Sequence, residues 1–185
     1  MPTKEIITSN GKKIQIYDGL FNTIEMYNFE IFAQNSYYAI TPITPLFSKS
    51  QGKFLASPFS EDDLLKFGIF NTNSANPIKS FILNKRRVRS WITCTTHLSE
   101  FYVHTDAGTD KNPITILYYV NNEWNKEWGG ETIFYNDNNE PELILEFLPG
   151  RLVIFDSTIL HKALPMTLRA PTFRFTFSST YENIN

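Results

Sequence analysis

The sequence predicts a mainly β, α+β fold, a jelly-roll-like domain with helices supplied by its N-terminal third. Three observations predict it. From about Arg87 onward, short runs rich in Val, Ile, Thr, Tyr and Phe alternate with turns of Gly, Pro, Asn and Asp, a texture of sandwiches and barrels. Before that point the texture is mixed, with the apolar residues of Leu20 to Ala33 at mostly helical spacings. At 185 residues, 42% of them hydrophobic, the chain can bury a core without disulfides or a structural metal. We therefore read residues 1–185 as a single domain, with 1–86 a mixed helical support region and 87–185 the jelly-roll core.

Taken in order, Lys13 to Asp18 alternates polar and apolar and predicts a short strand. Leu20 to Ala33 places Phe21, Ile24, Tyr27, Phe29 and Phe32 at mostly helical spacings and predicts a helix. Ser60 with Asp63 resembles a capping box and starts a short helix through Phe67. The Asn-rich stretches 71–76 and 136–139 read as turns. Strands are expected at Val88–Thr95, Phe101–His104, Ile114–Val120, Glu131–Tyr135, Leu143–Phe147, Leu152–Phe155 and Thr172–Tyr181.

The net charge of −2 gives no support for general affinity to phosphate backbones. No stretch approaches the roughly 18 apolar residues of a membrane span, and residues 1–13 carry no secretory apolar core. The one cysteine, Cys94, allows no intrachain disulfide. We expect a soluble cytoplasmic protein with no membrane partner, in a reducing setting.

The sequence contains three histidines. His104-Thr105-Asp106 follows the apolar run Phe101-Tyr102-Val103. In a strand, residues i and i+2 share a face, so this imidazole and carboxylate can approach one ion together. His161 lies beyond the run Leu152–Phe155. Two imidazoles and one carboxylate on a β scaffold make a facial triad, which leaves open positions on ferrous iron. Arg174 is the fourth element. Thr172, Arg174, Thr176 and Ser178 share one strand face, and Phe173, Phe175 and Phe177 share the other. An arginine among small hydroxyls lacks a carboxylate in its own strand. Its planar guanidinium suits the distal carboxylate of a dicarboxylic cosubstrate. Arg169, in the loop from Pro165 to Pro171, competes for that role but is less rigidly aimed.

These blocks, with Ile116-Leu117-Tyr118-Tyr119-Val120-Asn121, Trp128-Gly129-Gly130-Glu131-Thr132, Pro149 to Asp156, His161 to Pro165 and Arg174-Phe175-Thr176, resemble the prolyl 4-hydroxylase-like branch of the 2-oxoglutarate/Fe(II) oxygenases. The resemblance covers roughly Trp91 to Tyr181. It implies a double-stranded β-helix, iron held by His104, Asp106 and His161, and 2-oxoglutarate held at its distal carboxylate by Arg174, with Tyr119 and Thr176 beside it. The cofactors it implies are Fe(II) and 2-oxoglutarate, with ascorbate as a further ligand. The implied reaction consumes dioxygen, hydroxylates a C–H bond, and releases succinate and carbon dioxide. A protein or peptide is the expected substrate, with proline the first guess. The gap from His161 to Arg174 is longer than in the best-known members, which is what keeps Arg169 in contention.

Other features are read more plainly. His97 is a strand-end histidine and Cys94 a small core residue. Lys85-Arg86-Arg87-Val88-Arg89 is a solvated strand approach rather than a nucleic-acid grip. Trp124 and Trp128 either wall the substrate or pack their loop, and Asp156 caps a turn. Oxidative demethylation of nucleic acid would need a basic groove that is not evident. A non-catalytic jelly-roll binding module would predict a broken triad. A serine hydrolase built on Ser157, His161 and Asp156 lacks a Gly-x-Ser-x-Gly elbow.

Overall fold

The computed structural model describes residues 1–40, 52–107 and 112–184. In chain order it contains β1 (Lys4–Ile7), β2 (Lys13–Tyr17), α1 (Thr23–Gln34), β3 (Ala39–Ile40), β4 (Gly52–Lys53), β5 (Leu55–Pro58), α2 (Glu61–Phe67) and α3 (Asn76–Ile82). It continues with β6 (Lys85–Thr95), β7 (Glu100–Phe101), β8 (Ile114–Tyr119), a single 3-10 turn at Lys126–Trp128, β9 (Thr132–Tyr135), β10 (Pro141–Leu145), β11 (Leu152–Asp156), β12 (His161–Ala163) and β13 (Arg174–Asn183).

The strands form a major sheet in the order β1-β2-β11-β8-β13-β6-β5-β3 and a minor sheet in the order β10-β9-β12, with β4 and β7 paired separately. Among the described residues all the strand pairings are antiparallel, and no sheet closes into a barrel. The period of two decides what each face of the major sheet meets. Ile92 and Cys94 of β6, Ile116 and Tyr118 of β8, Leu152 and Ile154 of β11, and Phe175 and Phe177 of β13 turn to one side. There they pack with Phe29 of α1, Phe67 of α2 and Ile78 of α3. Aromatic rings dominate that layer, with Phe67 lying 5.1 Å from Phe29 and 5.0 Å from Phe177 between centroids. On the opposite side, Ile14, Ile16, Val153 and Phe155 pack against Phe134 of β9 and Leu145 of β10. The space beyond this second cluster, between the two sheets, holds the functional residues.

The helix starts follow from capping chemistry. Asn22 accepts from the backbone of Ile24 and Glu25, and Glu25 returns a bond to Asn22; Ser60 and Asp63 make the same reciprocal box. α1 thus begins at Thr23 rather than Leu20. Its inward face is Phe29 and Ala33, whereas Ile24 and Tyr27 are exposed, so the apolar spacing of the segment spans two helix faces. α3 follows directly on the Asn-rich turn stretch 71–76 and is not among the expected elements, although Pro77 near its start is a legible signal for it. β10 begins at Pro141 and ends at Leu145 rather than running from Leu143 to Phe147. β13 starts at Arg174, and Phe173, outside it, is half-exposed. Phe101–His104 is not one strand. β7 ends at Phe101, and His104 makes an isolated bridge to His161. Residues before 87 supply strands as well as helices, since β1, β2, β3 and β5 all join the major sheet. No helix among the described residues is long and apolar enough to cross a membrane.

Candidate active site

His104 and His161 face each other across their bridge and exchange both backbone bonds, at 3.0 and 2.9 Å. That pairing sets their rings side by side, with centroids 4.5 Å apart. Nδ1 of His104 lies 2.8 Å from the Tyr102 carbonyl, and Nδ1 of His161 lies 2.9 Å from the Ile159 carbonyl. A carbonyl only accepts, so each Nδ1 carries the hydrogen and each Nε2 keeps a free lone pair. Asp106 follows in the bend after the bridge, fixed by its backbone N–H donating to Ser157 O at 2.9 Å. Its Oδ1 is 3.8 Å from His104 Nε2 and its Oδ2 is 3.5 Å from His161 Nε2. One donor atom from each residue lies within 4.8 Å of the others, a spacing that suits a shared metal ion. His104 and Asp106, paired in the sequence by i, i+2 spacing, do come together here, although a bridge and a bend replace the regular strand.

The electrostatics favour the metal-ready forms. Burial pushes the His161 pKa down to about 4, against the pull of Asp106. Its imidazole is therefore neutral at neutral pH, as a ligand must be. Burial acts to raise the Asp106 pKa, but His161, Arg89, His104 and the Thr115 hydroxyl outweigh it and hold the carboxyl at about 2. With His161 uncharged at neutral pH, Arg89 is the fixed cation facing this carboxylate. Its Nη2 lies 2.7 Å from Asp106 Oδ1, and Thr115 Oγ1 donates to Oδ2 at 2.8 Å. Thr115 also bonds Ser157 Oγ at 2.8 Å, so the carboxylate rests on a buried hydroxyl pair.

Across the same cavity stands Arg174. The cavity is lined by the three donors together with Thr132, Ala163, Arg174, Thr176, Ser178 and Leu117, and by the rings of Phe54, Trp91 and Phe101. Arg174 is 1% exposed, yet no hydrogen bond or ion pair is found for it among the described residues, and its Nε is an unpartnered buried donor. Its guanidinium lies 4.8 Å from the centroid of Phe147 and 5.6 Å from that of Tyr119, contacts that orient it without neutralising it. Burial lowers its pKa to about 10, with the charges of Tyr119 and Glu131 acting the other way, so the group remains cationic at neutral pH. A buried cation with no direct partner is costly, and a bound anion is the natural counter-charge. Thr176 Oγ1 is likewise buried and unpartnered, while Tyr119 donates its hydroxyl to Thr132 Oγ1 at 2.8 Å. Arg169 stands elsewhere: its exposed guanidinium reaches Glu127 at 3.8 Å, and it does not line this cavity.

Arg89 is the site residue that sequence reasoning missed. The run from Lys85 to Arg89 is divided by an irregularity in its pairing with β13, which falls between Arg87 and Arg89: Arg86 pairs with Glu182, Arg87 with Glu61, and Arg89 turns to Asp106. The i, i+2 series Arg89, Trp91, Thr93 was the available signal. Thr115 and Ser157 were also missed, and nothing distinguishes them in the sequence from other strand hydroxyls. Trp124 and Trp128 pack their own loop: the rings meet edge-on at 5.4 Å, and Trp124 Nε1 donates to Gly129 O at 2.9 Å. Asp156 caps its turn by accepting from Thr158 N at 2.9 Å. Cys94 is buried in the helix-side core, its thiol pKa pushed up to about 11 by that burial.

These residues fit a divalent metal and a diacid. Borderline nitrogen donors with a carboxylate suit ferrous iron, and the orphaned Arg174 and Thr176 mark where a carboxylate would sit.

The comparisons agree. Residues 90–180 match the family model described as the 2OG-Fe(II) oxygenase superfamily. No curated protein matches the sequence. Among solved structures, a prolyl hydroxylase from Trichoplax adhaerens, in complex with a peptide of hypoxia inducible factor, is similar with a TM-score of 0.67 at 16% identity, over 92% of this chain and 83% of that one. A viral collagen prolyl hydroxylase from Paramecium Bursaria Chlorella virus-1 gives 0.63 at 13% identity, over 95% of this chain and 98% of that one. HygX from Streptomyces hygroscopicus, with nickel and 2-oxoglutarate bound, gives 0.66 at 11% identity, over 96% and 84%. At these identities the likeness is one of fold, the jelly roll of this group.

Proposed function

Starting from a chain whose residues 90–180 match the model of the 2OG-Fe(II) oxygenase superfamily, we propose that it is an Fe(II)- and 2-oxoglutarate-dependent dioxygenase hydroxylating a C–H bond in a protein or peptide, with proline the first substrate to test. One observation carries the reading. The His104–Asp106–His161 donor set shares a cavity with Arg174, a buried cation that makes no ion pair or hydrogen bond among the described residues.

In this reading the Nε2 atoms of His104 and His161 and the Asp106 carboxylate hold iron. Arg174 holds the distal carboxylate of 2-oxoglutarate, with Tyr119 and Thr176 beside it. When bound, these two groups supply an oxidative decarboxylation that activates dioxygen and yields succinate and carbon dioxide. The chain's own work is positioning and enclosure. The carbonyls of Tyr102 and Ile159 fix the imidazole tautomers. Phe147 and Tyr119 keep the guanidinium aimed. Phe54, Phe101, Trp91 and Leu117 give the cavity apolar walls, which exclude water and suit a neutral ring or aliphatic side chain. The peptide substrate draws support from the prolyl hydroxylases among the similar structures, and bulk charge lends a nucleic acid none.

The test is anaerobic titration with Fe(II) and 2-oxoglutarate, followed by succinate release in air against peptide and nucleic-acid panels, with and without ascorbate. We expect saturable binding of both, peptide-stimulated succinate release, and loss of metal binding in His104→Ala. Iron-loaded protein that releases no succinate with any panel member would refute the reading.

A further inference from the structure

We infer that Arg89 is a positioning residue that keeps Asp106 a one-oxygen metal ligand. This rests on the iron reading above and goes beyond it, because Arg89 lies just outside the matched stretch 90–180. The two carboxylate oxygens are not equivalent. Oδ1 bears a charge-assisted bond from Arg89 Nη2 at 2.7 Å, whereas Oδ2 accepts only from the neutral hydroxyl of Thr115, at 2.8 Å. A charge-assisted bond is roughly twice as strong as a neutral one, and a guanidinium beside Oδ1 repels a cation that approaches it. Oδ2 is therefore the oxygen left for the ion, and it is also the one nearer a histidine Nε2, at 3.5 Å.

Arg89 is itself held in place. Its guanidinium lies over the Trp91 ring at 4.8 Å from the centroid, its side chain is 22% exposed, and β13 flanks its strand, with Thr180 opposite Arg89. It has little room to swing off Asp106.

The consequence follows from counting positions on the ion. Two imidazoles and one oxygen leave enough room for a chelating diacid and for dioxygen. A carboxylate giving both oxygens would take a further position and compete with the diacid. Arg89 thus gives up some metal affinity to keep the cosubstrate's positions free.

The test uses Ni(II), which binds without turnover. Wild-type and Arg89→Met proteins are titrated with Ni(II), and the Ni(II)-loaded forms with 2-oxoglutarate, by calorimetry. We expect Arg89→Met to bind Ni(II) more tightly and 2-oxoglutarate more weakly, each by about tenfold, equivalent to ~1.4 kcal/mol. Arg89→Lys, which keeps the charge, should return both constants toward wild type. A residue that merely braces the Asp106 segment would weaken metal binding and leave the diacid's affinity for the loaded protein unchanged, and that result would overturn the inference. If Arg89→Met does not fold, the wild-type protein loaded with Mn(II) decides. One Asp106 oxygen on the ion and the other still on Arg89 supports the role; both oxygens on the ion ends it. Wild-type protein that fails to bind Ni(II), or binding undiminished in His104→Ala, would refute the iron reading and this inference together.

Discussion

Gly130 lies directly against the stem of Arg174. A Cβ built on Gly130 would come within 2.8 Å of Arg174 Cδ and 2.9 Å of its Nε. Gly130 also has φ +86°, a conformation that L side chains rarely adopt. The second glycine of Trp128-Gly129-Gly130 is thus more than a turn into a strand. It is the floor on which the guanidinium rests.

Gly130→Ala should therefore displace Arg174 and weaken 2-oxoglutarate binding by about tenfold, while Ni(II) affinity stays near wild type. The left-handed backbone adds a stability loss of ~1–2 kcal/mol. Calorimetric titration of the Ni(II)-loaded variant separates these effects. A metal affinity that falls in step with the diacid affinity would show general disruption instead.

The two arginines in contention at the sequence level give opposite expectations. Arg174→Met removes a buried cation with no direct partner among the described residues, so the ligand-free protein should melt at a higher temperature while losing about a hundredfold or more in 2-oxoglutarate affinity. Arg169→Ala, at an exposed pair with Glu127, should leave the melting temperature near wild type and change the affinity by no more than about twofold. If Arg169→Ala weakens diacid binding and Arg174→Met does not, the anchor is wrongly assigned.

What the sequence made legible, and what it hid, follows from how far each signal is local. Thr172 to Phe177 shows its period of two directly, and Arg174 and Phe175 do part to opposite faces. His104 and Asp106 were found by the same spacing. His161 could be proposed as a ligand, but its backbone pairing with His104 is a contact between distant segments that no local pattern encodes. Arg89 was obscured because adjacent cations read as one solvated run, and its partner lies 17 positions away. β12 is too short to show any period, and α3 was masked by the Asn-rich turn chemistry before it.

Acid should destabilise the metal-free protein in two stages. His161 is held at about 4 against an ordinary value of 6.5. Between those values the unfolded chain binds a proton that the folded chain refuses, so stability falls as pH drops through that window and is complete above it. Asp106, held at about 2 against 3.8, adds a second loss at lower pH with the same sign. Melting temperatures measured across pH on chelator-treated protein should show the first fall, and His161→Gln should flatten it. A wild-type profile already flat between pH 6.5 and 4 would contradict the burial argument for His161.

Thr115→Val tests the other side of the Asp106 carboxylate. The hydroxyl donates to Oδ2 and is also the partner of Ser157 Oγ, at 2.8 Å in both cases. Valine keeps the shape but leaves a buried Ser157 hydroxyl without its partner and removes one of the bonds that orient Asp106. The expected loss is ~1–3 kcal/mol of stability, seen as a lower melting temperature, with Ni(II) bound several-fold more weakly as Asp106 loosens. Thr115→Ser retains the hydroxyl at the cost of one methyl group and should recover most of the metal affinity. Equal metal affinities for the two variants would mean that packing at residue 115, rather than its hydrogen bond, supports the carboxylate.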